Sequence, residues 1–292
     1  MNAFTIKDLE NLSGIKAHTI RIWEQRYHFL KPQRTNTNIR YYTNDELKTV
    51  LNISLLNKYG FKISHIDRMQ PKEIHEKVMS LVDAQAIQER VVNELVQHMV
   101  DLDMDRFEHT LAHYIAAKGV ERAVIQIIFP FLERTGILWQ TGNINPAQEH
   151  LVSNVIRQKL IVGIETAVPL SQTSKTFLLF LPENEHHELG LLFVYYLLKK
   201  RGLQTVYLGA NIPMKDVQYV LELKKPDVVY VHLTSTASAF SLEKFINRTQ
   251  QFFKGTPLLV SGLLTQQYRK EVPPSVQLKR SLSEVTQYLA SL

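Results

Sequence analysis

Apolar residues recur along this chain with two different periods, and the change of period divides it. Up to about residue 70, short helical patterns alternate with polar breaks. Thr5 stands as an N-cap before Ile6-Lys7-Asp8-Leu9, and Ser13-Gly14 ends that segment after Leu12. A second helix is predicted from about Ala17 to Tyr27, with Ile20, Trp23 and Tyr27 spaced three and four apart. Ile20 and Trp23 read as its buried stripe, whereas Arg21 and Arg26 fall off it. A polar, basic, hairpin-like stretch follows from Lys31 to Tyr42, and a further helix begins near Asn44 and Asp45. Residues 72 to about 168 hold few glycines and keep a helical period, as in Ile74, Val78 and Leu81 or Val91, Leu95, Met99 and Leu102. Four or five helices joined by short loops predict an antiparallel bundle. Pro130 lies inside one apolar helix and predicts a kink there, unless the helix is two pieces.

Beyond this stretch the period changes. Apolar runs at 176–181, 205–208, 227–233, 257–260 and 276–278 alternate with helical segments, which makes five βα units. That alternation predicts a doubly wound parallel five-stranded sheet with right-handed crossovers and a flavodoxin-like strand order. Three domains are therefore expected in this multidomain α and α/β chain, at residues 1–71, 72–170 and 171–292. No Gly-x-Gly-x-x-Gly follows the first strand, which excludes a nicotinamide-type reading.

Composition narrows the chemistry. The 292 residues contain no cysteine, so disulfides, thiolate metal sites and cysteine nucleophiles are excluded, and histidine and carboxylate remain as candidate ligands. No apolar stretch approaches the roughly 18–20 residues that span a bilayer. Lys7, Asp8 and Glu10 stand where a signal peptide would need an apolar core, so a cytoplasmic protein with no membrane partner is expected. Net charge is +6 and unevenly placed: residues 1–70 carry eleven basic against six acidic side chains, the rest 23 against 22. The basic part is the one expected to meet a polyanion. Two helices joined by a glycine-containing turn form a helix-turn-helix, whose second helix lies in a DNA major groove.

A second site lies after the first strand of the sheet. Glu185, His187 and Gly190 stand as Glu-x-His-x-x-Gly, after the run Thr176 to Pro182 and before the apolar-periodic segment Leu189 to Leu198. Open α/β sheets bind ligands outside the carboxyl ends of their strands, so His187 is placed to hold a metal. Glu185 would orient its imidazole, and Gly190 would let a backbone approach a bulky ligand. The alternative is a solvated polar loop opening a helix. Upstream, Trp139 is followed after nine residues by Glu149-His150; alone, these would be a core tryptophan and a polar helix start after Asn145-Pro146.

Three resemblances rest on these residues. Thr19-Ile20-Arg21-Ile22-Trp23-Glu24, the wing ending in Arg40-Tyr41-Tyr42 and the following helix pair resemble the MerR family of winged-helix regulators over residues 4 to about 70. This implies binding to a double-stranded DNA operator through Thr19, Arg21, Arg26, Arg34, Arg40 and Tyr41. The Glu-x-His-x-x-Gly loop resembles the cobalamin-binding domain family, which implies His187 as the lower ligand of cobalt. Trp-x9-Glu-His resembles the helical half of cobalamin-dependent MerR-type photoregulators, which implies Trp139 as a shield of the adenosyl group with Glu149 and His150 nearby. Gln140 stands where the best-known photoreceptors have a second cobalt-binding histidine, and an amide is a poor cobalt ligand beside imidazole. Light chemistry is then different or absent unless His150 or another group substitutes. Family members usually carry Ser-x-Leu and Gly-Gly where this chain reads His232-Leu233-Thr234-Ser235-Thr236 and Val260-Ser261-Gly262. Thr234, Ser235 or Thr236 would bind the nucleotide tail beside Gly262, and Ser261 narrows its channel; His232 reads as a polar strand-end residue.

The resemblances together imply a transcriptional regulator controlled by adenosylcobalamin, with light or cofactor supply as the signal. A dimer or tetramer is expected, binding inverted half-sites. Two alternatives stand beside it: a MerR-type repressor that has kept the fold but answers to a protein partner, and a corrinoid-dependent enzyme module.

Overall fold

The computed structural model describes residues 3–140, 144–169, 173–234 and 240–292, apart from the side chains of Ile137, Trp139 and Gln140. They form two compact units, Met1–Ile156 and Arg157–Leu292.

The first unit opens with α1 (Ile6–Ser13), α2 (Ala17–Arg26), a two-stranded antiparallel wing of β1 (Gln33–Arg34) and β2 (Arg40–Tyr41), and α3 (Asn44–Lys58). Thr5 caps α1 reciprocally with Asp8: the Asp8 amide donates to Thr5 Oγ1 at 3.3 Å and the Thr5 amide to Asp8 Oδ2 at 2.7 Å. Thr43 and Glu46 repeat the device on α3. Gly14 ends α1 at φ +73°, a left-handed conformation that a side chain would strain. Phe4 and Tyr42 exchange backbone hydrogen bonds at 2.9 and 2.8 Å, tying the chain start to the wing. Phe4, Leu9, Ile20, Tyr42, Leu47 and Leu51 are fully buried and form the core that holds α2 and the wing together.

The helical part continues with α4 (Ile63–Ile66), α5 (Pro71–Met79), α6 (Ala84–Asp101), α7 (Met104–Lys118), α8 (Val120–Ala123), a π-helical turn (Val124–Ile128), α9 (Phe129–Gln140) and α10 (Pro146–Thr166). Arg134 on α9 donates to Asn93 Oδ1 at 2.5 Å inside the bundle. The kink expected at Pro130 takes a specific form. Proline has no N–H to continue the ladder, and the helix widens into the π turn just before it, where the Phe129 amide reaches back to Val124 O.

The second unit contains the sheet. Its strands are β3 (Thr176–Pro182), β4 (Gln204–Ile212), β5 (Val228–His232), β6 (Leu258–Ser261) and β7 (Val276–Lys279), interleaved with α11 (Leu189–Lys200), α12 (Met214–Lys224), α13 (Leu242–Phe252) and α14 (Leu263–Gln267), and α15 (Leu282–Ala290) closes the unit. All pairings are parallel, in the order β4-β3-β5-β6-β7. The chain direction across the sheet reverses at β3, which sits between β4 and β5. This is the switch point where such sheets bind ligands. Phe177 to Leu181 are fully buried, because strands covered by helices on both faces read as continuous apolar runs. Among the described residues, no helix is long and apolar enough to cross a membrane.

Candidate functional site

The segment between β3 and α11 is held by one backbone bond back to the strand and by Asn211 of β4. The Glu185 amide donates to Pro182 O at 3.0 Å, the Asn184 amide to Asn211 Oδ1 at 2.9 Å and the Asn211 amide to Glu185 O at 3.1 Å. Asn184 and Asn211 both adopt positive φ, 67° and 59°, which asparagine tolerates better than most residues. The result places the Glu185 side chain inward, with 3% exposure. Its Oε1 accepts from the His187 amide at 3.0 Å and meets the ring Nδ1 at 2.6 Å, while Oε2 accepts from the Thr234 amide at 3.0 Å.

One buried carboxylate thus orients the histidine and anchors it to the end of β5. With the carboxylate ionised, Nδ1 carries the proton and Nε2 carries the lone pair. The His187 side chain is 47% exposed, so the imidazole stands at the mouth of the sheet. A single such ligand suffices for a metal that brings its own ring of equatorial nitrogens, as the cobalt of a corrin does. Next to it, Glu188 accepts from the Tyr207 hydroxyl at 2.6 Å and pairs with Arg157 at 3.1 Å. Burial and this hydrogen bond push the Tyr207 phenol well above its ordinary range.

Behind His187 the strand ends are filled by side chains of this chain. His232 is the last residue of β5 and the register partner of Ser261 on β6. Its Nδ1 lies 2.8 Å from Ser261 Oγ, which lies 2.5 Å from Tyr230 Oη, making one hydrogen-bonded string. Burial pushes the His232 imidazole down to about 4, against the pull of nearby Glu185. Gly190, expected to admit a ligand, is used otherwise: a Cβ there would lie 2.3 Å from His232 Nε2, so the missing side chain makes room for that ring. At Gly262, with φ +100°, a Cβ would lie 2.3 Å from Leu233 O, so its lack of a side chain serves packing between strand ends. Thr234 takes part through its backbone, and Ser235 lies outside the described residues.

In the first unit, Trp139 falls in the last turn of α9, and its side chain and that of Gln140 lie outside the described residues. Glu149, half-buried, and His150, exposed, occupy the first turn of α10. Asn145 caps that turn, its side-chain oxygen accepting from the Ala147 amide at 2.9 Å. Buried Gln148 pins it to the end of α6 by donating to Met99 O and Val100 O at 3.1 and 3.3 Å.

The DNA-contact candidates lie on α2 and on the wing of the same unit. Arg21 and Arg26 are exposed on α2, Arg34 is exposed on the wing, and Thr19, Arg40 and Tyr41 are half-buried. Arg34 donates to Asn38 Oδ1 at 2.7 Å and Tyr41 to Gln33 Oε1 at 2.5 Å, so the wing is braced before any ligand arrives. Arg40 Nε lies 3.3 Å from Glu24 Oε2, and Glu24 Oε1 accepts from the Tyr42 hydroxyl. Glu24 and Tyr42 stand in the motifs quoted above, but the string of residues alone gives them no role. They connect α2 to the wing, and only the pairing of two elements reveals it. Tyr230 was overlooked as well; its signal is a polar period of two, with His232, in an otherwise apolar strand.

Residues 4–73 match the MerR HTH family regulatory protein model, and residues 91–162 match that of a B12 binding domain. The chain carries a MerR-type helix-turn-helix domain and a B12-binding domain. It is accordingly a DNA-binding regulator under cobalamin control. Two Myxococcus xanthus proteins are similar along most of their length. Identity is 28% over 273 residues to the HTH-type transcriptional repressor CarH, covering 91% of each chain. It is 26% over 270 residues to the HTH-type transcriptional repressor CarA, covering 91% of this chain and 89% of that one. The fold is shared with the Methanosarcina barkeri monomethylamine corrinoid protein, at a TM-score of 0.51 and 12% identity over 70% of this chain and all of that one.

Proposed function

We propose that this chain is a transcriptional repressor whose grip on its operator is set by adenosylcobalamin, with His187 as the lower cobalt ligand. The observation that carries this reading is the buried Glu185 carboxylate fixing His187 at the switch point of the sheet, in a chain whose first residues form a MerR-type module. Glu185 holds the imidazole in one tautomer and the Asn184–Asn211 bonds hold the loop, while Trp139, Glu149 and His150 are assigned to the adenosyl group on the motif they share with cobalamin-dependent regulators. Bound there, an adenosyl corrinoid would supply a photolabile cobalt–carbon bond, so the signal is either light or, if Gln140 removes the light chemistry, cofactor supply. Thr19, Arg21, Arg26, Arg34, Arg40 and Tyr41 contact the operator, and the protein works as a dimer or tetramer in the cytoplasm. Control follows from the cofactor binding one conformation or assembly more tightly than another.

The test is direct. The purified chain is mixed with adenosylcobalamin in darkness, passed over a sizing column, and its absorption and operator binding are recorded before and after green light. Retained corrinoid, a spectrum altered in His187→Ala, and DNA binding that depends on the corrinoid are expected. An unchanged spectrum in that variant removes His187 as the ligand, and retained corrinoid without a light response leaves a sensor of cofactor supply. The filled space beside Gly190 favours a second reading, a repressor that works without the cofactor and answers to a protein partner, and failure to retain any corrinoid would remove the first reading in its favour.

A further inference from the structure

Cobalamin carries a bulky nucleotide tail that hangs from the lower face of its ring, the face an imidazole from the protein would take. If His187 is that imidazole, as proposed above, the tail must lie on the same side, against the start of α11 and the ends of β5 and β6. In this chain both glycines at that place already meet its own atoms. The His232 ring sits where a Cβ of Gly190 would be, 2.3 Å from that position at Nε2, 2.5 Å at Cδ2 and 2.8 Å at Cε1. Its other edge is held by Ser261, 2% exposed, and through it by Tyr230, 1% exposed. At Gly262 a Cβ would lie 2.3 Å from the carbonyl oxygen and 2.8 Å from the amide nitrogen of Leu233, so these two strand ends pack backbone against backbone.

We infer that His232, braced by Ser261 and Tyr230, is a specificity-determining residue that disfavours corrinoids whose nucleotide tail must enter the sheet beside His187. The chemical class it favours relative to cobalamin is the tailless or short-tailed corrinoid. The physical reasons are two. Seating a tail requires the ring to leave a packed site, and close-packed interiors do not yield extra volume without displaced side chains. Moving it also breaks the bond between its Nδ1 and the hydroxyl of buried Ser261. Burial keeps the ring uncharged near neutral pH, so no charge draws it out into solvent.

The experiment uses the full chain and two probes, adenosylcobalamin and adenosylcobinamide, which lacks the nucleotide. Dissociation constants for both are measured in darkness by absorption titration, with thermal unfolding of each complex as a second readout. The quantity read is the ratio of the two constants, in the wild type and in His232→Gly and His232→Ser. Removing the cobalamin base from its own cobalt costs the same in every protein, so this cost cancels when ratios are compared. His232→Gly is expected to shift the ratio at least tenfold toward adenosylcobalamin, and His232→Ser, which keeps a hydroxyl for Ser261, in the same direction. Tyr230→Phe, which leaves the ring in place but loosens its brace, is expected to give a smaller shift of the same sign. Equal ratios in the wild type and in the variants that fold overturn the inference while leaving His187 as ligand. Failure of the wild type and of every variant to bind either probe overturns the cofactor reading and this inference together.

Discussion

Replacing Glu185 by alanine tests the centre of the site, because one carboxylate there receives three N–H groups. Two come from His187, its amide at 3.0 Å and its ring nitrogen at 2.6 Å, and one from the Thr234 amide at 3.0 Å. Hydrogen bonds to a charged group contribute about 1.5–3 kcal/mol each. The sum is reduced because His187, 47% exposed, recovers water for its ring once the carboxylate is gone. The two backbone amides sit where the loop and β5 meet and recover less. A net loss of about 3 kcal/mol is expected, roughly 10 °C in the unfolding of a unit of this size.

Calorimetry should place the loss in the transition of the sheet unit and leave that of the helical unit unmoved, because the two compact units need not unfold as one. Glu185→Gln separates shape from charge. Its amide matches the volume but presents an NH2 group to at least one of the three donors, so a smaller loss of about 1–2 kcal/mol is expected. Both variants should also release the tautomer of His187 and alter the absorption of bound corrinoid. A sheet transition in Glu185→Ala within about 0.5 kcal/mol of wild type would refute the reasoning, since it would mean that the three bonds are replaced by water at no cost.

Gly190→Ala is expected to destabilise the same unit by about 1–3 kcal/mol, because its methyl group would overlap the His232 ring, and the loss should shrink in the double variant with His232→Ser; equal losses in both backgrounds would show that the ring is not the obstacle. His232 is also a pH reporter. Its folded value of about 4 lies below the ordinary 6.5, so the unfolded chain binds the proton more readily; stability is full above pH 6.5 and falls as pH drops toward 4, by at most about 3 kcal/mol. Urea midpoints at pH 7 and 4.5 should fall further in the wild type than in His232→Gln, and parallel falls would refute this. At the other end of the chain, Arg21→Ala or Arg26→Ala should lower operator affinity and, where the contact is to phosphate, reduce the slope of log K against log salt by about one. An unchanged slope and affinity would remove that arginine from the interface. Tyr42→Phe should weaken DNA binding by loosening Glu24 and Arg40 while leaving the salt slope in place, which mobility shifts at two salt concentrations would detect.

Much of this architecture was readable because local rules and burial agree. Thr5 and Thr43 both precede an acid three residues on, and each caps a helix reciprocally, as that spacing predicts. The five strands fall within a residue or two of their apolar runs, except that β4 continues to Ile212. The extension comes with register shifts opposite Leu179, Phe180 and Pro182, which depend on a neighbouring strand and leave no trace in the β4 sequence alone. Pro130 announced a disturbance but not its kind, since a π turn and a kink remove the same hydrogen bond. The Glu24–Arg40 pair was invisible for a similar reason: it joins residues that only the wing's fold brings near.

The glycines show why a site is harder to read than a fold. A glycine states that a side chain does not fit, and says nothing of what occupies the space instead. At Gly190 the sequence alone allowed a ligand or a neighbour, and the neighbour is there: His232, two residues beyond Tyr230 on the same strand face. That substitution of one occupant for another turns a polar residue at a strand end into a determinant of the site. The Glu185–His187 pair and the His232 string share a wall at β5, since Thr234 bonds the first and follows the second by two residues. A change of ring position at His232 is therefore expected to reach the orientation of His187 through Thr234 and Glu185, which would couple the proposed selection of the tail to the proposed cobalt ligand through the end of one strand.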